Sequence, residues 1–291
     1  MPSTRDIRRR IRSVRNTAQI TKAMQMVAAS KMRKAQQGAV TGRPYADALD
    51  RILAGVSQFA GDFTHPLMEQ REVRARAVVI VSTDKGLCGT LNSSLLREVA
   101  QFDPAATRFI AAGRKGAQYI VRTQRTLVAE FAYHDTPRFA EARAISKLVQ
   151  DLFCQGEVDQ VDLLFTRFVS TVAQRPTLRP FLPVDEKRLI ELIGGRREPD
   201  KLMKGATEFL FEPSAAQVFG ALLPHYLNFE MFQVLLESKA SEHSARMVAM
   251  KNATDNAHQL IKDLTLHYNK MRQAAITNEL LEIATAAMAL E

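Results

Sequence analysis

Tryptophan is absent from this 291-residue sequence, and cysteine is nearly so. The two thiols, Cys88 and Cys154, stand far apart with no CxxC. That excludes a disulfide framework and a thiolate zinc site, and a reducing compartment fits best. No apolar run approaches the roughly 18 to 20 residues needed to cross a bilayer. The longest candidates are 77–81 and 283–290. No HExxH or other metal-ligand spacing occurs among the six histidines, so a metal site is not expected. No aromatic residue precedes Tyr45, which leaves the basic amino-terminal segment without a platform for stacking bases.

What is present is a chain able to fold. Hydrophobic residues make up 46% of it, enough for a core and too many for overall disorder. The formal net charge of +9 is concentrated at one end. Residues 1–36 hold ten Lys and Arg against Asp6 alone, and the remainder balances. The basic character therefore belongs to a segment rather than to the protein. An Arg-rich, acid-poor amphipathic start also has the composition of an organelle transit peptide.

All 13 glycines and ten of the 11 prolines fall between Gly38 and Pro224, the exception being Pro2. The stretches 3–37 and 225–291 are free of breakers and rich in good helix formers. A helix over the second stretch would be about 100 Å long, against a radius of gyration near 19 Å for a compact chain of this size. It cannot lie inside such a globule. Apolar positions recur at 3/4 spacing through Leu236, Ala240, Met247, Met250, Ala257, Ile261, Leu264, Tyr268, Met271 and Ala275, interrupted by His243 and Thr254. Ile7, Ile11, Val14, Ala18, Thr21, Ala28, Met32 and Ala35 keep the same rhythm. The two ends are predicted to pair as a long antiparallel coiled coil. Further apolar residues lie off the seam: Ile20, Met24 and Val27 at one end, and Leu280, Leu281, Ile283, Ala284, Met288 and Leu290 at the other. Two helices cannot bury both faces, so either a third helix of the same chain or a partner must cover them.

Between the ends, short β-rich runs alternate with helical ones. Strands are predicted at 77–83, 108–112, 126–131 and 161–171, with helices at 91–102, 114–121 and 139–153. That pattern predicts a mainly parallel sheet with helices on its faces. Later strands are predicted at 179–184 and 208–211, with a loop around Gly194, Gly195 and the charged 196–204. The expected organisation is an amino-terminal coiled-coil helix over 1–60, an α/β domain over 61–212 and a carboxyl-terminal helix over 213–291.

The turn TDKGLCGTLN at 83–92 follows the first strand, where open α/β sheets usually bind ligands. Dinucleotides require GxGxxG and a P-loop requires GxxxxGK[ST], because several backbone amides must converge on phosphate. Gly86 and Gly89 supply only GxxG, as do Gly113 and Gly116. Both are read as tight structural turns, and Cys88 as a small buried thiol rather than a nucleophile. No cofactor is expected. Glu242 with Arg246, and Lys251 with Asp255, have the i, i+4 spacing of solvated helix pairs.

Four strings carry a resemblance: TRDIRRRIRSVRNTAQITKAMQMVAASKMRKAQ at 4–36, TDKGLCGTLN, FVSTVAQRPTLRPFLP at 168–183, and SEHSARMVAMKNATDNA with LTLHYNKMRQAAITNELLEIA near the end. The chain resembles the gamma subunits of F-type ATP synthases from about residue 3 onward, which sets the transit-peptide reading aside. The resemblance implies an α/β fold: a coiled-coil central stalk of the two end helices carrying a Rossmann-like middle domain. It implies a non-catalytic rotor turning inside a hexamer of alpha and beta subunits, bearing on the epsilon subunit and the c-ring, and coupling proton or sodium flow to ATP synthesis or hydrolysis. The expected location is peripheral, on the cytoplasmic side of a bacterial inner membrane, with no nucleic-acid partner.

Carried over by motif position, the resemblance implies subunit contacts or coupling roles for Met24 in ITKAMQM, Arg246 in SARMVAM, and Arg272, Gln273, Thr277, Glu279 and Glu282 in MRQAAITNELLE. It implies an apolar bearing tip that includes Ile283, Met288 and Leu290. The family pattern usually reads SDRGLCGGLN where this chain has Thr83, Lys85 and Thr90. It usually has Gly-Ala where Ala286-Ala287 stand and Ala where Met271 stands.

Overall fold

The computed structural model describes residues 4–42, 44–45, 48–49, 52–53, 65–184, 212 and 214–290, the last four as backbone only. In chain order the elements are α1 (Thr4–Thr41), a 3₁₀ turn (Pro66–Met68), β1 (Arg76–Val81), α2 (Leu91–Val99), β2 (Thr107–Ala112), α3 (Arg114–Arg122), β3 (Thr126–Phe131), α4 (Phe139–Cys154), β4 (Gln160–Phe168), β5 (Gln174–Leu182) and α5 (Ala215–Leu290). They divide into two compact units, Met1–Ala29 with Arg246–Glu291, and Ser30–Ala245.

The larger unit is built on one sheet of order β3-β2-β1-β4-β5. The first four strands are parallel, and β5 returns antiparallel along β4. β1 is buried on both faces because parallel sheets carry helices on both sides. Side chains alternate accordingly. Val78 and Ile80 join Phe109 and Leu164 beneath α2 and α3, with Leu95, Val99 and Ile120 completing that core. Val79 and Val81 point the other way, into a larger core with Ile145, Val149 and Phe153 of α4 and Phe219, Leu223, Leu227 and Met231 of α5. β5 carries Pro176 and Pro180, which suit an edge strand because proline donates no ladder hydrogen bond.

Several boundaries differ from the sequence expectation; β1 ends at Val81 rather than at 83, and α2 at Val99 rather than at 102. β4 stops at Phe168 rather than at 171, and β5 begins five residues earlier than 179, the two forming a hairpin closed by Val169 and Ser170 bonding to the Ala173 carbonyl. α1 runs past Gly38 to Thr41. α5 starts at Ala215 and contains Pro224. A proline inside a helix costs about 3 kcal/mol, but this turn buries Phe219, Leu223, Tyr226 and Leu227, each side chain contributing about 1.5 to 3 kcal/mol. The strand expected at 208–211 and the loop at 194–204 lie outside the described residues.

In the smaller unit α1 and α5 run antiparallel: Arg8 bonds to Tyr268 and Thr21 meets Thr254, so numbering falls along one helix as it rises along the other. Ile7, Ala18, Thr21, Ala28, Met250, Thr254 and Ala257 form the buried seam, as the periodicity predicts. Ile11, Val14, Ile261, Leu264, Tyr268 and Met271 are half-buried along it. Ala275, predicted to continue the seam, is exposed. Ile20, Met26 and Val27 are exposed, and no third helix covers them among the described residues of this unit.

Candidate functional site

The carboxyl edge of the sheet, between β1 and β4, is the switch point where a doubly wound fold normally holds its ligand. Here the turn after β1 is closed on itself. The Asn92 side-chain amide donates to Thr83 Oγ1 at 2.7 Å, and that hydroxyl donates to the Lys85 carbonyl at 2.8 Å. Leu87 and Gly89 adopt positive φ, and Cys88 turns inward, buried with Leu91 of α2 and Ala245 of α5. The Thr83 and Asn92 side chains are used by the loop itself.

Gly113 and Gly116 have an equally local reason. Gly113 sits at φ +102°, and a Cβ there would lie 2.3 Å from the Ser82 carbonyl oxygen. The Gly116 amide donates to Ser82 Oγ at 2.8 Å. This GxxG lets the start of α3 approach the end of β1.

What fills the crevice is α5. Ser241 Oγ donates to the Thr166 carbonyl and Ser244 Oγ to the Thr171 carbonyl, both at 2.8 Å, fastening the helix to β4 and to the hairpin that follows. Residues 238–245 are all buried, and six of them are polar or charged. Lys239, 2% exposed, donates to Glu242 Oε2 at 3.0 Å and lies 4.3 Å from the centre of the Tyr133 ring. Tyr133 donates in turn to the Ser82 carbonyl, and burial pushes its phenol well above the ordinary range. The expectation that Glu242 is a solvated surface partner of Arg246 is therefore corrected: Glu242 is buried beside Lys239. Nothing in the string SEHSAR distinguishes this stretch from an exposed helix face, so periodicity could not find it. Lys251 and Asp255 are exposed as expected.

The residues singled out on the paired helices fall into two groups. Met24 and Arg246 are half-buried, Met24 one turn from the seam residues Thr21 and Ala28. Arg272, Gln273, Thr277, Glu279 and Glu282 are exposed, as is every residue of 272–286. Thr277 Oγ1 bonds back to the Gln273 carbonyl at 2.9 Å and takes no tertiary partner from it. Ile276, Leu280, Leu281 and Ile283 are exposed with them, Leu280 at 62% and Ile283 at 67%. The side chains of Met288 and Leu290 lie outside the described part. Also on the paired helices, an open groove of about 520 Å³ is lined by Arg15, Lys22, His258, Ala18, Met26 and Ile261, among others, with no carboxylate or nucleophile. No cluster of three potential metal ligands occurs among the described residues, and no helix among them is long and apolar enough to cross a membrane.

One unit is thus a pair of antiparallel helices, and the other an α/β body in which residues 238–245 of α5 are buried. Known proteins share this fold. The family model described as ATP synthase matches residues 3–290. The ATP synthase gamma chain of Opitutus terrae is 47% identical over 99% of both chains, and that of Methylacidiphilum infernorum is 43% identical over the whole of both. Among solved structures, a chain in the central stalk and c-ring of the Tetrahymena thermophila mitochondrial ATP synthase matches with a TM-score of 0.59 at 27% identity, covering 80% of this chain and 99% of that one. A chain of the Euglena gracilis mitochondrial enzyme agrees in fold with a TM-score of 0.70 at 20% identity, covering 99% of this chain and 94% of that one. With a family model spanning nearly its full length and gamma chains almost half identical to it end to end, this chain belongs to the ATP synthase gamma chain family.

Proposed function

We propose that the chain is the rotating central shaft of a bacterial ATP synthase, non-catalytic itself, coupling proton or sodium flow to ATP synthesis or hydrolysis on beta subunits. One observation carries the reading: residues 272–286 form a helix exposed on every side, with Ile276, Leu280, Leu281 and Ile283 bare to water. Covering each such side chain is worth about 1.5 to 3 kcal/mol, so the stretch calls for an enclosing partner. A hexamer of alternating alpha and beta subunits supplies one. Apolar contact is non-directional, so a tip bearing Ile283, Met288 and Leu290 would turn in such a sleeve with little friction.

A rotor drives its neighbours by presenting each with a different face, so that each beta subunit is held in a different conformation. Met24, Arg246, Arg272, Gln273, Thr277, Glu279 and Glu282 are the side chains assigned to those unequal contacts. The α/β body is the part assigned to the epsilon subunit and the c-ring, at the cytoplasmic face of the inner membrane. The crevice occupied by α5 supports a non-catalytic body, since the position where a ligand would sit is filled by the chain's own helix.

The test is to place cysteine at Glu279, assemble the chain with alpha and beta subunits, and oxidise to crosslink it to beta. ATP turnover should stop, and reductant should restore it. Turnover that continues with the crosslink formed overturns the assignment of this residue to a face that moves against beta.

A further inference from the structure

Asp135 stands in the segment joining β3 to α4. Its carboxylate ion-pairs with Lys31 of α1 and lies 3.8 Å from Lys239 Nζ and 4.0 Å from His243 Nε2 of α5. One side chain of the α/β body thus meets cations from both long helices. The two cations differ in setting. Lys31 is partly exposed, whereas Lys239 is buried and fixed by Glu242 and by the Tyr133 ring. The carboxyl is held below its usual range, first by the hydrogen bond from Lys31 and then by the charges of Lys239, Lys31 and His243 against some burial.

A shaft must not slip in its seat. The apolar contacts of α5 with the sheet resist separation, and the Ser241 and Ser244 hydrogen bonds set its rotation on the side of β4 and the hairpin. The Asp135 contacts add a second constraint and extend it to α1: successive residues of a helix are about 100° apart, so a turn of α1 or α5 by one residue carries Lys31 or Lys239 out of reach. Because the carboxylate is shared, the settings of the two helices are tied to each other as well as to the body.

We propose that Asp135 is a positioning residue for rotary coupling, its carboxylate fixing the rotational setting of α1 through Lys31 and of α5 through Lys239 where both are seated in the α/β body. The proposal rests on the rotor reading above. Without the carboxylate the catalytic subunits still turn over ATP, but rotation reaches the ion-translocating side with slippage.

The experiment uses the whole ATP synthase in inverted membrane vesicles, with Asp135→Asn, Asp135→Ala and Asp135→Glu compared with the unaltered chain. ATP hydrolysis is measured in parallel with ATP-driven internal acidification and with ATP-driven sodium uptake. Asp135→Asn and Asp135→Ala should lower the ions moved per ATP hydrolysed by about threefold, and Asp135→Glu should recover most of the loss, since it restores charge with one added methylene. Asparagine keeps the size of the side chain, so it carries the comparison if alanine impairs assembly. An unchanged ratio in Asp135→Asn, in vesicles where the unaltered complex couples, overturns this inference alone. An unaltered complex that hydrolyses ATP and moves neither ion overturns the rotor reading and this inference with it.

Discussion

Thr21 and Thr254 face each other across the paired helices with their hydroxyl oxygens 2.7 Å apart, both buried in an otherwise apolar seam. Each hydroxyl also reaches a carbonyl of its own helix, Ala18 for Thr21 at 3.1 Å and Met250 for Thr254 at 2.8 Å. Each has one proton to donate, so one bonds across the interface while the other bonds back to its own backbone. A single Thr→Val change at either position removes the cross-helix bond and should cost about 1 kcal/mol. The second change then has little left to remove. Urea unfolding followed by circular dichroism should give a coupling of about 1 kcal/mol between the two sites, and strict additivity would sink this assignment.

Gly113 is the least replaceable glycine described. Alanine there must hold φ near +102° and place its Cβ 2.3 Å from a backbone oxygen that cannot swing aside. Gly113→Ala should cost at least about 3 kcal/mol, or prevent folding. Gly86, where nothing lies within 4 Å of an added Cβ, is the control. Thermal melts of the purified chain should separate the two changes clearly.

Glu237 gives a pH dependence of unusual sign. Burial pushes its carboxyl up, against the lowering effects of Arg179 and Arg167. A folded pKa above the unfolded one means that stability is fully present below the unfolded value, around pH 4.5, and is lost as pH rises through the folded value. Glu237→Gln should therefore raise the melting temperature at pH 7 and leave it nearly unchanged near pH 4. The reverse order would show that the two arginines outweigh burial.

Lys239 tests the buried ionic contact directly. Lys239→Met keeps most of the volume and removes the cation beside the buried Glu242 carboxylate, so it should destabilise the chain by about 3 kcal/mol. Lys239→Met with Glu242→Leu should recover at least half of that loss. A double variant as unstable as the sum of the singles would show no coupling between the two residues and overturn the assignment of a buried pair.

The strand and helix pattern of the middle was legible because it rests on strong signals. The apolar run at 77–81 reads as a strand buried on both faces, and the GxxG turns read as structural because their phosphate-binding partners are missing. The paired helices were legible from Ile7 to Met271 for the same reason, a sustained 3/4 period. Three features were not. Pro224 punctuates a sequence but not this helix, since the packing of Phe219 and Leu223 outweighs its local cost. Glu242 in the buried stretch 238–245 reads as solvent-facing because the stretch is covered by residues distant in sequence, Cys88, Leu91 and Thr166 among them. Asp135 carries no motif at all, and only the fold brings it to Lys31 and Lys239.

Beyond Met271, α5 continues as a single helix with water on all sides. A lone helix of this length is marginal in water, because nucleation is costly and few residues share that cost. Order there is propagated from the paired turns before it. Enclosure would remove the competing unwound conformations and raise resistance to twist. The torsional stiffness of that end is thus a property acquired on docking, so spring constants measured on the isolated polypeptide should understate those of the same residues once surrounded.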